Sequence, residues 1–97
     1  MKIALSVWKD CISTVFDAAD QLLVVEKNEA GEFRSLNVRF HSDDGAARAM
    51  QLKQIGVDTL ICGAISRLQE AAISAVGITV HPFVRGPVQD VMDAHET

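Results

Sequence analysis

A mixed α/β domain with its strands first and its helices later is the fold class this sequence predicts. Short apolar runs without helical spacing fill the first forty residues, and from Ser42 onward apolar residues recur at helical intervals. Each later helix-like stretch is separated from the next by a brief apolar run, the pattern of strands joined through helices. A chain of 97 residues has room for one core and not two, so residues 1–97 read as a single domain.

The elements follow in order. Lys2 to Val7 is nearly continuous in apolar residues, as in a strand buried on both faces, and Gln21 to Lys27 repeats it with Leu22, Leu23, Val24 and Val25. Asn28-Glu29-Ala30-Gly31 has turn composition. Leu36, Val38 and Phe40 then alternate with Asn37 and Arg39, the period of a half-buried strand nearer an edge. Ser42 suits a helix N-cap, with Asp43 and Asp44 in the first turn, Ala46, Ala49, Met50 and Leu52 as the inner stripe, and Gly56 as the stop. Val57 to Cys62 is the fourth strand. Ser66 and Gln69 have capping-box spacing, and Leu68, Ala71, Ala72, Ala75 and Val76 would line one helix face before Gly77. Ile78 to His81 is the fifth strand. Pro87 opens a last helix at its favoured first position, with Val88, Val91 and Met92 inward and His95 packing or facing water.

This is the order βββαβαβα. Short turns make the first three strands an antiparallel meander, and helical crossovers make the later strands parallel. With strand order 3-2-1-4-5 the five-stranded mixed sheet has the ribonuclease H-like arrangement. A flavodoxin-like sheet would need a helix between the first two strands, and Trp8 to Asp20 carries no sustained helical stripe.

Composition narrows the function classes. With 48% apolar residues the chain is a folded globule, and only 5% are aromatic, so aliphatic residues and alanines fill the core. A net charge of -4 argues against nucleic-acid backbones and anionic membrane surfaces as partners. The short apolar run ahead of Lys9 and Asp10 is too brief for a signal peptide or a membrane span, which predicts a cytoplasmic protein with reduced cysteines.

Strands one, three, four and five would end on one rim, and ligands of open α/β sheets bind there, where the strand order reverses. Cys11, Cys62, His81 and His41 all fall on that rim, which makes them the candidate metal ligands. Each has a plainer reading: Cys62 as a small core residue, Cys11 as a loop residue, His81 bonded to a carbonyl, His41 two strand spacings from the switch point. No pair has the close spacing of a mononuclear zinc site. Gly63-Ala64-Ile65-Ser66-Arg67, entering a helix, is a candidate anion cradle, with Arg67 and Arg85 as added charge and Lys9 beside Cys11 favouring its thiolate. Trp8 covers the site or packs on its loop. Nuclease chemistry would need clustered carboxylates; the first strand has none, and Asp58 stands at the wrong end of the fourth. No triad order and no Walker motif is present, so catalysis is not expected.

Met1-Lys2-Ile3-Ala4-Leu5-Ser6-Val7-Trp8 with Ile12-Ser13-Thr14-Val15-Phe16-Asp17-Ala18-Ala19 forms a first block, and Gly56-Val57-Asp58-Thr59-Leu60-Ile61-Cys62-Gly63-Ala64-Ile65-Ser66 a second. Gly77-Ile78-Thr79-Val80 with Pro82-Phe83-Val84-Arg85-Gly86-Pro87-Val88 is the third. Together they resemble the dinitrogenase iron–molybdenum-cofactor biosynthesis family over nearly the whole chain. The resemblance implies a ribonuclease H-like fold without nuclease activity. It also implies a carrier of an iron–sulfur cluster, the iron–molybdenum cofactor or a molybdenum–copper sulfide cluster, purified apo or loaded. Cofactor-assembly proteins or ATPases are the partners it suggests. The sequence departs from the family's commoner pattern at Val15 and Asp17, where many relatives have histidine and glycine, and at His41-Ser42-Asp43, where many have a histidine-rich loop. A metal-free interaction module, or a sensor of a small anion at the Gly63 turn, is the alternative.

Overall fold

The structure, a computed structural model, describes the backbone of residues 1–96 and the side chains of residues 1–94. The inward or outward facing of His95 lies outside the described side chains. Six strands are present: β1 (Lys2–Trp8), β2 (Cys11–Ile12), β3 (Gln21–Lys27), β4 (Phe33–Arg39), β5 (Thr59–Ile61) and β6 (Thr79–His81). The helices are α1 (Gly45–Ile55), α2 (Arg67–Ala75) and α3 (Val88–Glu96), with a 3-10 turn at Phe16–Ala18. The sheet runs β4-β3-β1-β5-β6, and β2 pairs with the end of β1 alone. β1, β3 and β4 are antiparallel neighbours, whereas β5 lies parallel to β1 and β6 parallel to β5. The strand β2 is an addition to the expected five. It forms because the chain reverses at Lys9, a non-glycine residue at φ 57, and brings Cys11 opposite Trp8.

Alternate residues of β1 feed two cores. Ala4 joins Leu22, Val24, Leu52, Leu60, Cys62 and Ile73 beneath α1 and α2. Ile3, Leu5 and Val7 join Ile12, Val25 and Ile61 on the other face, where Val88, Val91 and Met92 of α3 pack as expected. A central strand with both faces covered has no place for charge, which explains its continuous apolar run.

The later periodicities are shifted from the sequence reading. Asp44, not Ser42, caps α1 through its carboxylate to the Ala47 amide at 3.0 Å, so neither Asp43 nor Asp44 lies in the first turn. Ala49 and Leu52 face inward, but Ala46 and Met50 are exposed and Arg48 takes a buried position. In α2 the buried pair is Gln69 and Ile73, flanked by Ala72 and Val76; Leu68, Ala71 and Ala75 face outward, with Leu68 81% exposed. The expected stripe is rotated by about one position (~100°). Ser66 does cap α2, but Gln69 turns to the Asp43 carbonyl instead of closing a capping box. Leu36 is 63% exposed and Phe40, beyond the strand, is buried, so β4 is less covered than its alternation suggested. Pro87 precedes α3 as its cap residue, its carbonyl accepting from the Val91 amide. Among the described residues no helix is long and apolar enough to cross a membrane.

Candidate binding cleft at the strand switch point

The order of the sheet reverses between β1 and β5, and three loops meet at their carboxyl ends. Residues 13–15 follow β2, residues 62–66 follow β5, and residues 82–86 follow β6. Backbone bonds sew them together. The Ala64 amide donates to Thr14 O at 2.9 Å, the Phe16 amide to Ala64 O at 2.7 Å, and the Phe83 amide to Gly63 O at 2.9 Å. The Ile12 amide reaches Gly86 O, and the Val84 amide reaches Cys62 O. Gly63 sits where the strands of chain pass closest: a Cβ there would collide with the carbonyl oxygens of Ser13 and Thr14. Its missing side chain serves close packing of backbone on backbone.

Between these loops lies an open cleft of about 400 Å³, lined by Ile12, Thr14, Gly63, Ala64, Phe83, Val84 and Arg85. Among the described residues one charged side chain lines it, Arg85, and no carboxylate does. In a chain of net charge -4 that lining favours an anion. Trp8, 66% exposed, and Phe83, 75% exposed, stand at the same rim. Trp8 and Thr14 share a neighbouring hollow with Val15 and Asp20.

The four candidate ligands do not converge. Among the described residues no three histidines, cysteines or acids come together to hold a metal ion. Cys62 is fully buried in the first core, and burial pushes its thiol up to about 12, so at neutral pH it is a protonated core residue. This packing agrees with the reading of Cys62 as a small core residue. Cys11 is exposed in β2, next to the cleft-lining Ile12 but not itself part of the lining. His81 ends β6 and lines a separate hollow with Arg85 and Asp90 against α3. His41 lies past β4, its amide bonded to Gln51, with β3 between its strand and β1.

The expected anion cradle lies partly in the cleft. Gly63 and Ala64 line the cleft, whereas Ile65, Ser66 and Arg67 do not. The amide of Ser66, at the start of α2, is already taken by Asp17 Oδ1 at 2.9 Å. Burial pushes the Asp17 carboxyl up, but hydrogen bonds from the Ser66 side chain and amide outweigh it and hold the group below its ordinary value. The chain supplies its own anion at that helix end. Nothing local signals this contact, because the two residues are 49 positions apart.

Arg48 completes the same side of the rim. It is 3% exposed, and its guanidinium donates to the carbonyls of Ser42, Phe16 and Ala19 at 2.7–2.8 Å. It stacks 4.1 Å from the Phe40 ring centroid and 5.3 Å from that of Phe16. Burial pulls its pKa down, while Asp43, Asp17 and Asp20 oppose that pull. Sequence reading missed Arg48 because a basic residue inside a helix ordinarily faces water. It missed Phe83 because a lone aromatic in a loop follows no period.

The family model described as dinitrogenase iron-molybdenum cofactor matches residues 1–97. The chain belongs to this family. The family's name links it to the iron–molybdenum cofactor of nitrogenase. Among solved structures, the crystal structure of PH0822 aligns with a TM-score of 0.86 at 19% identity, covering 98% of this chain and 89% of the other. An NMR structure from Thermotoga, provisionally named a NifB protein, aligns at 0.71 with 25% identity, covering 98% and 86%. A crystal structure from Methanocaldococcus jannaschii, provisionally named a dinitrogenase, aligns at 0.68 with 24% identity, covering 95% and 83%. The first and third of these likenesses concern the fold alone. No curated protein matches this chain.

Proposed function

We propose that this member of the family is a non-catalytic carrier that holds an anionic metal–sulfur cluster in the cleft between β1 and β5 during cofactor assembly, on a ribonuclease H-like fold. The observation that carries the reading is the lining itself: an open concavity at the strand switch point that holds, among the described residues, one cation and no carboxylate. The cluster is cargo that must leave again on delivery. Arg85 supplies charge, and Gly63 and Ala64 line the cleft without bulky side chains. Cys11, one residue from the lining, is the exposed soft ligand at the edge. The proteins that load and unload it would be cofactor-assembly proteins or their ATPases, meeting the rim at Trp8 and Phe83.

Anaerobic reconstitution with iron, sulfide and molybdate tests this. The wild type should acquire a stoichiometric chromophore that Arg85→Glu loses and Cys11→Ala weakens, while Cys62→Ala retains it. A wild type that stays colourless, or an Arg85→Glu variant that loads normally, sinks the reading and leaves a metal-free module in its place.

A further inference from the structure

At the far edge of the sheet, β4 keeps the regular backbone of a strand that has a neighbour on both sides. Its register with β3 is one-to-one from Gln21↔Arg39 to Lys27↔Phe33, without a bulge, proline or glycine. Bonds just beyond the two ends of that ladder show which way the backbone points. The Phe40 amide donates to Asp20 O and the Asn28 amide to Glu32 O, both at 2.9 Å. Antiparallel bonding alternates, so Arg34, Leu36 and Val38 bond to β3, while Phe33, Ser35, Asn37 and Arg39 turn their amides and carbonyls outward. Past Arg39 the edge is closed: the Gln51 side chain donates to Arg39 O at 3.0 Å and accepts from the His41 amide at 3.1 Å. From Phe33 to Asn37 no described side chain does the same, and no helix overhangs, since every residue of that stretch is exposed. Leu36, at its apolar centre, is 63% exposed. Edge strands are ordinarily blunted by bulges, prolines or inward charges, and an open edge with an apolar centre is a template for pairing.

The side chains say which strand fits. Outward residues must meet outward residues, which limits a two-fold antiparallel pair of β4 strands to a few registers. Pairs centred on Arg34 or Ser35 set Arg34 opposite or diagonal to its own copy. A pair centred on Asn37 needs the His41 amide that Gln51 holds. Centred on Leu36, neither conflict arises. Leu36 then meets Leu36 at the dyad, Arg34 meets Val38, Ser35 meets Asn37, and Arg39 meets the ring of Phe33. Ser35 exchanges both backbone bonds with Asn37 of the second copy, and the Arg39 amide reaches the Phe33 carbonyl, leaving Arg39 O to Gln51. No like charges face each other, the exposed leucine is covered by its own copy, and each Phe33 ring gains a guanidinium. We infer that β4 is a homodimerisation edge: two copies of this chain join through antiparallel β4 strands, centred on Leu36, into one continuous sheet. Because β4 runs parallel to β1, the dyad sends the two switch-point clefts to opposite ends of that sheet and leaves both open. The pairing is independent of the carrier reading and survives its failure.

An interface of one short strand pair belongs to the weak size class, so a dissociation constant of about 10–100 μM is expected. Sedimentation equilibrium of the full chain from about 5 μM to about 1 mM reads it. Ser35→Pro removes an outward amide without touching the bonds to β3, and Leu36→Lys sets two cations at the dyad. Each should weaken association at least about tenfold while keeping the melting temperature of the dilute protein within about 3 °C of wild type. In a Cys11→Ala background, Leu36→Cys should cross-link under mild oxidation, because a pair centred on this residue brings its two copies within disulfide reach. A wild type that stays monomeric at the highest concentration overturns the inference. So does a dimer that neither Ser35→Pro nor Leu36→Lys weakens, or one in which Leu36→Cys stays uncross-linked.

Discussion

The rim of the sheet has two halves built from the same kinds of loop, and they end in opposite states. On the side of α1 and α2, Arg48 ties three carbonyls together and Asp17 occupies the start of α2. On the side of β6, the loops around Gly63 bond to one another through backbone alone and leave a concavity with Arg85 on its wall. Both halves hold a cation. The buried one has its hydrogen bonds consumed by the fold, so it organises structure; the exposed one faces a hollow, so it is available to a ligand. A charge is informative about function only after its partners have been counted.

Substitutions can break this contrast. The largest effect is expected from Arg48→Ala, which takes the arginine bond from the carbonyls of Ser42 and Ala19, leaves that of Phe16 to the Ala19 amide alone, and removes the cation between Phe16 and Phe40. A loss of about 3–5 kcal/mol in urea unfolding is expected, with Arg85→Ala within about 0.5 kcal/mol of wild type. Equal losses would erase the distinction between the halves. Gly63→Ala comes next. Its methyl group meets backbone that has no room to yield, and about 2–4 kcal/mol should be lost by the same measurement. A neutral result would mean the loops are looser than their hydrogen bonds indicate.

Asp17→Asn tests the self-supplied anion and should cost about 1 kcal/mol at neutral pH. The folded carboxyl is held below its ordinary value of 3.8. Its contribution is therefore complete above that value and disappears as pH falls through the lower, folded-state value. The gap between wild type and Asp17→Asn should close in acid; a gap that stays constant down to pH 2 would assign the effect to packing. The smallest energetic effect concerns Cys11, where alanine should change stability by less than about 0.5 kcal/mol. Chemical labelling of the native protein should nonetheless modify Cys11 and spare Cys62 until the chain unfolds. Labelling of Cys62 at the rate of Cys11 would show the first core to be open.

Much of the fold was legible because strand burial is written in short-range composition. Lys2–Trp8 and Gln21–Lys27 are mostly apolar between their ends because each lies inside the sheet, and the switch to helical spacing after Ser42 marks where crossovers begin. The helix faces were less legible. In α2 several alanines and one leucine admit two stripes nearly equal in apolarity, and only contact with α1 and β6 decides that Ile73 turns inward and Leu68 outward. Likewise Asp44 displaced Ser42 as the cap of α1, a choice of two residues that local preference ranks almost alike.

The sequence by itself determined the strand-then-helix order and the family. Its strand pattern put Cys62, His81 and His41 at or just past strand ends, and Cys11 in the turn after β1. The tertiary structure decided which of the rim's groups remain available. It buried Cys62, spread the histidines across the sheet, filled the α2 end with Asp17 and left Arg85 with Phe83 at the cleft. Accessibility and satisfied hydrogen bonds depend on residues tens of positions apart, and no local pattern encodes them.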